Sequence, residues 1–162
     1  MGKMISAIDH TLIEPIGLVT VNFSMLEGNL KFFIWTLISH EQRIGQIITA
    51  NLAFRQLIDL FGSLYRFHVK DEVLLTEFEQ LRKSLEEAND RRNNLIHSQW
   101  AAGDKPGKST KFKIVARAKQ GVIHKFDSIS IEDITALADF IAHAAHDIQE
   151  LLFKPLMPQK HT

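Results

Sequence analysis

Ten consecutive residues, Arg91-Arg92-Asn93-Asn94-Leu95-Ile96-His97-Ser98-Gln99-Trp100, hold the densest set of chemically able side chains in the sequence. A histidine titrates near neutral pH and can take or give a proton. A guanidinium is planar, permanently charged and shaped to grip a phosphate or carboxylate. Asparagine offers both donor and acceptor, and tryptophan stacks on a ring or fills a core. Anion binding beside proton transfer is the chemistry on offer.

Helical geometry limits how these groups meet. Asn93 and His97 are four apart and share a face, which Trp100 continues. Arg92 and His97 are five apart, about 140° round a regular helix, so they do not naturally touch. Contact needs a wrapped arginine, an unwound helix end, or a second copy of the chain. The plainer alternative is that arginine and asparagine cap the C-terminal end of a helix, where cations complement the dipole. His97 is then a satisfied, half-buried residue.

The element that must position this segment is the longest helical pattern in the chain. Leu74, Phe78, Leu81, Leu85, Ala88, Arg92, Leu95 and Gln99 step by fours and threes, an apolar stripe that turns polar at Arg92. A charge on a core-facing stripe must be paired or belong to a site, because an isolated buried charge is very costly.

Three further helices are expected around it. The first runs from Val19 to Ser39, with Phe23, Leu26, Leu30, Phe33 and Leu37 facing the core, after an irregular lead-in over 1–17 marked by Pro15 and Gly17. His40 to Ile48 has no settled period. The second helix covers Thr49 to Phe67, and His68 to Asp71 forms a connection short enough to make its neighbours antiparallel. After a break at Ala101 to Thr110, the alternating runs 111–118 and 121–126 flank Lys119-Gln120-Gly121 and predict a β-hairpin. The last helix is capped by Ser128 or Ser130, with Asp133 in capping-box spacing, and ends at Pro155. The expected fold is all-α: a single domain over 1–162, built as a four-helix up-and-down bundle. A loop and basic hairpin over 103–127 separate helices three and four, and 155–162 form a tail.

Composition narrows the chemistry. The chain has no cysteine, which excludes disulfides, thiolate catalysis and cysteine-based metal sites. There is no signal-peptide pattern and no apolar run long enough to span a membrane, so a soluble, cytoplasmic protein is expected. Acidic and basic residues balance at 19 each. Their distribution does not: Lys105 to Lys125 carries seven Lys/Arg and no acid, whereas Asp71 to Asp90 holds seven acids against two bases. Such asymmetry marks either a nucleic-acid-facing element or a solvated hairpin complementary to an acidic helix. Phe112 and Phe126 within the basic segment are read as core-directed, with base stacking as the alternative. His143, His146 and Asp147 share one side of the last helix, as metal ligands can, but Glu150 continues that side and it reads as a solvated polar face. No metal or other cofactor is expected.

The run Arg92-Asn93-Asn94-Leu95-Ile96-His97 resembles the Arg-polar-x-x-x-His signature of the HEPN superfamily, in a branch populated by uncharacterised bacterial proteins. Its setting, near the end of a long helix in an all-α domain, is similar too. The resemblance implies a metal-independent endoribonuclease acting as a homodimer, with the motifs of two chains meeting in a cleft. His97 would be the general acid/base for attack of the RNA 2′-hydroxyl on the adjacent phosphate. Arg92 would hold the phosphate and stabilise the transition state, and Asn93 would orient His97 or the phosphate. Arg91, Asn94, Trp100, Lys111, Lys113 and Arg117 are the accompanying candidates for substrate binding. A toxin or defence role follows from the same resemblance, with an antitoxin as partner. Some members paired with nucleotidyltransferase antitoxins carry a tyrosine two residues after the histidine; here that position is Gln99. The rival expectation is a non-catalytic dimeric binding module, in which the same residues bind an anion or nucleotide or hold an interface.

Overall fold

The computed structural model describes residues 10–38, 41–102, 108–117 and 121–156, with the backbone alone for 102, 112–117, 121 and 152–156. Residues 1–9, 39–40, 103–107, 118–120 and 157–162, which include parts of the expected lead-in, first-helix end, loop, hairpin turn and tail, lie outside the described residues. After a short 3-10 turn at His10–Leu12 come α1 (Ile13–Ile38), α2 (Gln42–Thr49), α3 (Phe54–His68) and α4 (Glu72–Ile96). Strands β1 (Gln99–Ala102), β2 (Lys108–Arg117) and β3 (Gly121–Ser130) precede α5 (Ile131–Leu156). The protein is mostly helical, as expected in coarse outline, with a small antiparallel sheet in the order β1-β2-β3.

Two compact units divide the chain, one from residues 1–21 and 91–139, the other from 22–90 and 140–162. In the second unit the expected stripes are buried: Phe23, Leu26, Leu30 and Phe33 of α1, Leu57, Ile58 and Phe61 of α3, Phe78, Leu81 and Leu85 of α4, and Ile141, Ala145 and Ile148 of α5. Ring contacts join Phe23 to Phe54 at 4.7 Å and Phe61 to Phe78 at 5.3 Å. Asn29 Nδ2 donates to the Ala145 carbonyl at 3.2 Å, tying α1 to α5. The first unit buries Leu12, Val19, Leu95, Ile134, Leu137 and Ala138, and the polar Ser109.

Several boundaries differ from expectation. Helix α1 starts at Ile13, not Val19, because Pro15 falls in the first turn, where a backbone N–H has no intrahelical acceptor to lose. The unsettled segment is a separate helix, α2. Its inward side is made by Gly45 and Thr49, and Ile44, Ile47 and Ile48 are exposed, so apolar periodicity could not reveal it. Trp35 Nε1 donates to Thr49 Oγ1 at 2.8 Å, and a Cβ on Gly45 would lie 2.8 Å from the Trp35 Cα. Helix α3 begins at Phe54, where Gln56 Oε1 accepts from the Ala53 N–H at 2.8 Å. Asp71 caps α4 by accepting from the N–H groups of Val73 and Leu74. Helix α5 reaches Leu156, so Pro155, expected to end it, lies in its last turn.

Of the two candidate caps for α5, Ser130 is the one used. Asp133 Oδ2 accepts from the Ser130 N–H and hydroxyl, both at 2.9 Å, while the Asp133 N–H donates to Ser130 Oγ at 3.2 Å. These Ser130 hydrogen bonds hold the Asp133 carboxyl below its ordinary range.

Two outcomes follow. Gly45→Ala presses a methyl into the Trp35 backbone and destabilises the fold, whereas Gly17→Ala, with open space around it, stabilises by about 0.5–1 kcal/mol; urea denaturation reads both. Asp133→Ala costs about 1 kcal/mol at neutral pH. Because the folded carboxyl titrates below the unfolded value of 3.8, that difference is full above pH 3.8 and disappears as pH falls through the folded value.

Candidate functional site

The segment Arg91–Trp100 belongs to the first unit and straddles the change from helix to strand. Helix α4 ends at Ile96, so the stripe does not carry on to Gln99, which opens β1. The last turn is closed by the His97 N–H donating to the Asn93 carbonyl at 3.0 Å and by the Ser98 hydroxyl donating to the Asn94 carbonyl. Four-residue β1 had no sequence signature. Its pairing with β2, Gln99 opposite Phe112 and Trp100 opposite Lys111, is what makes it a strand.

Arg92 is half-buried, with its Nε buried, and its Nη1 donates to Asn93 Oδ1 at 2.9 Å. The hydrogen bonds of the motif thus join Arg92 to the Asn93 side chain and His97, through its backbone, to the Asn93 carbonyl. Asn93 is the common partner. Asn93 was expected to orient His97 or the phosphate; its side-chain oxygen accepts from Arg92. His97 itself is exposed, as are Arg91 and Asn94, while Trp100 is half-buried. The half-buried histidine of the capping alternative is therefore corrected: the end of the helix turns the residue outward.

The sheet continues the site's surroundings. Trp100, Lys111 and Asp127 occupy one row across the three strands, and Lys111 Nζ pairs with Asp127 Oδ2 at 3.5 Å. Lys113 pairs with Lys125 and Arg117 with Gly121 in the β2–β3 ladder; the side chains of Lys113 and Arg117 lie outside the described residues. Phe126, expected in the core, is 67% exposed. It stands on the edge strand β3 and stacks with His124 at 6.4 Å between centroids and 14° between planes. His124 was missed as a candidate, although alternation alone puts 122, 124 and 126 on one face.

Outside the segment, α4 and α5 line a groove of about 380 Å³ with Glu77, Gln80, Leu81, Ser84, Asp147, Glu150 and Leu151. No motif residue is among them. His143, His146, Asp147 and Glu150 are exposed, and His146 Nε2 is 4.0 Å from Glu150 Oε1, in keeping with a solvated face. Among the described residues no group of three His, Cys, Asp or Glu is placed to hold a metal ion.

Asn93→Ala removes the side-chain acceptor that fixes Arg92. A loss of about 1 kcal/mol is expected in chemical denaturation, with Arg92→Ala costing less in that background than in wild type.

Comparison with protein-family models, with curated proteins and with solved structures finds no match to this chain, so its function is argued from this geometry.

Proposed function

We propose that the chain is an HEPN-like, metal-independent endoribonuclease that works as a homodimer, with His97 as general acid/base and Arg92 as the phosphate-binding cation. The observation that carries this reading is the exposure of His97 immediately beyond a fixed Arg92–Asn93 pair. A proton-transfer group must reach its substrate, and a phosphate-binding group must be held in place. In the step itself, His97 takes the proton of the RNA 2′-hydroxyl as its oxygen attacks phosphorus. The P–O5′ bond breaks, the leaving oxygen is protonated, and a 2′,3′-cyclic phosphate and a 5′-hydroxyl end remain. The Arg92 guanidinium offsets charge that builds on the phosphoryl oxygens.

The proposed scaffold is a four-helix up-and-down bundle of α1, α3, α4 and α5. Contacts of α1 with α3 and α5, of α3 with α4, and of α4 with α5 support it. Arg91, Asn94 and Trp100 flank the pair, while the basic β2 strand and the exposed His124–Phe126 stack favour a single-stranded RNA substrate. A toxin or defence role, with an antitoxin as partner, belongs to the same reading. The rival reading, a non-catalytic dimeric module, is favoured by one observation: Asn93, His97 and Ser98 all take part in closing α4.

The two separate in a cleavage assay on structured and single-stranded RNA in excess EDTA. Cleavage by wild type, reduced about 10²–10⁴-fold in His97→Ala and strongly in Arg92→Ala with unchanged helical circular dichroism, supports the enzyme. Failure of folded wild-type dimer to cut any RNA, with Arg92→Ala changing only oligomeric state or stability, establishes the module instead.

A further inference from the structure

Helix α1 carries two apolar stripes. The inner one, Val19, Phe23, Leu26, Leu30 and Phe33, is buried. The outer one is Leu18, Val21, Met25 and Phe32, exposed by 47%, 57%, 59% and 46%, with exposed Gly28 filling the remaining step. Positions 18, 21, 25, 28 and 32 alternate by three and four, the repeat of a helix seam that expects another helix against it. Scattered surface apolar residues need no explanation, but a continuous row at seam spacing does.

Gly28 is a second and separate signal. A glycine inside a helix costs about 1 kcal/mol relative to alanine. Among the described residues, nothing beyond its own turn of helix comes within 4 Å of where its Cβ would sit, so no described contact requires a glycine there. Close approach of something outside the chain would.

We infer that this outer stripe of α1 is the homodimer seam, packed antiparallel against the same stripe of a second copy and centred on Met25. The stripe is self-complementary in that direction. Leu18 lies seven residues before Met25 and Phe32 seven after, so Leu18 falls opposite the partner's Phe32. Val21 then falls beside the partner's Gly28, a branched side chain over a gap. Charge permits it as well. The ionisable residues of α1 are Glu14, Glu27 and Lys31, and the last two neutralise each other at 2.6 Å on their own helix. Glu14 falls opposite the partner's Thr36, so no like charges meet. An isologous pairing of this kind is the commonest way for a chain to form a closed dimer.

The inference concerns the partner of the proposed ribonuclease but is read by mass, not activity. Sedimentation velocity on the full chain from about 1 µM to 1 mM brackets the affinity expected of a seam at the small end of interface size. A wild-type dimer is expected, weakened at least about tenfold by Met25→Glu, because the variant buries a charge in the seam. Gly28→Leu is the control against simple misfolding: it should raise the melting temperature of the monomer while weakening the dimer. The absence of cysteine allows a direct test of direction. Under mild oxidation, Leu18→Cys mixed with Phe32→Cys should cross-link, and neither alone should. A wild type monomeric throughout, a dimer indifferent to Met25→Glu and Gly28→Leu, or Leu18→Cys cross-linking to itself would each overturn the seam. A monomeric wild type that cleaves RNA sinks this inference and spares the catalytic reading; an inactive dimer broken by Met25→Glu does the reverse.

Discussion

The constraint that shapes the candidate site is the set of carbonyls at the C-terminal end of α4. A helix end leaves its last carbonyls without intrahelical donors, and burying them unsatisfied is expensive. Here the His97 N–H and the Ser98 hydroxyl supply donors to Asn93 and Asn94, and the chain leaves as β1. His97, the residue just past the last regular helical position, is exposed. One residue later the chain must find new backbone partners, and it finds them on β2. The exposed histidine and the strand that follows it thus both lie at the helix end.

A different kind of constraint holds the second unit. Phe61, Tyr65 and Phe78 form a contiguous aromatic cluster, with Tyr65 and Phe78 stacked at 4.9 Å and Arg66 over the Phe78 ring. Burial of the Tyr65 hydroxyl, reinforced by the charges of Glu77 and Asp71, pushes its pKa up to about 12. That hydroxyl has no hydrogen-bond partner among the described residues, so the cluster is held by ring packing and not by its polar atom. At the rim, burial works to raise the Glu79 carboxyl, but hydrogen bonds and charge from Arg82 and Arg66 outweigh it and leave it below its ordinary range. The aromatic core fixes α3 on α4, and the ion pairs contribute little beyond direction because water reaches them.

What could be read from the sequence follows from which signals are local. The stripes of α1, α3, α4 and α5 were legible because a long helix repeats its burial pattern many times. Helix α2 was not, since its inward side is a glycine and a threonine and its isoleucines face outward. Strand β1 was not, since four residues carry no period and their strand character comes from Lys111 and Phe112 opposite. Phe126 was misjudged because alternation says which residues share a face but not which face is covered. In the site, the residue types and the separation of Arg92 from His97 were legible. The choice of Asn93 as common partner was not, because it depends on where the helix stops.

That choice has a physical consequence for Arg92. Arg92 Nη1 donates to the Asn93 carboxamide, which orients the guanidinium at the helix end. The group is half-buried, where water screens an approaching anion less than it would on an open surface. Arg92 and His97 are five residues apart, about 140° round a regular helix. In the proposed homodimer, a second copy would bring its own helix end to the Arg92 of the first, which ties the proposed α1 seam to the proposed chemistry.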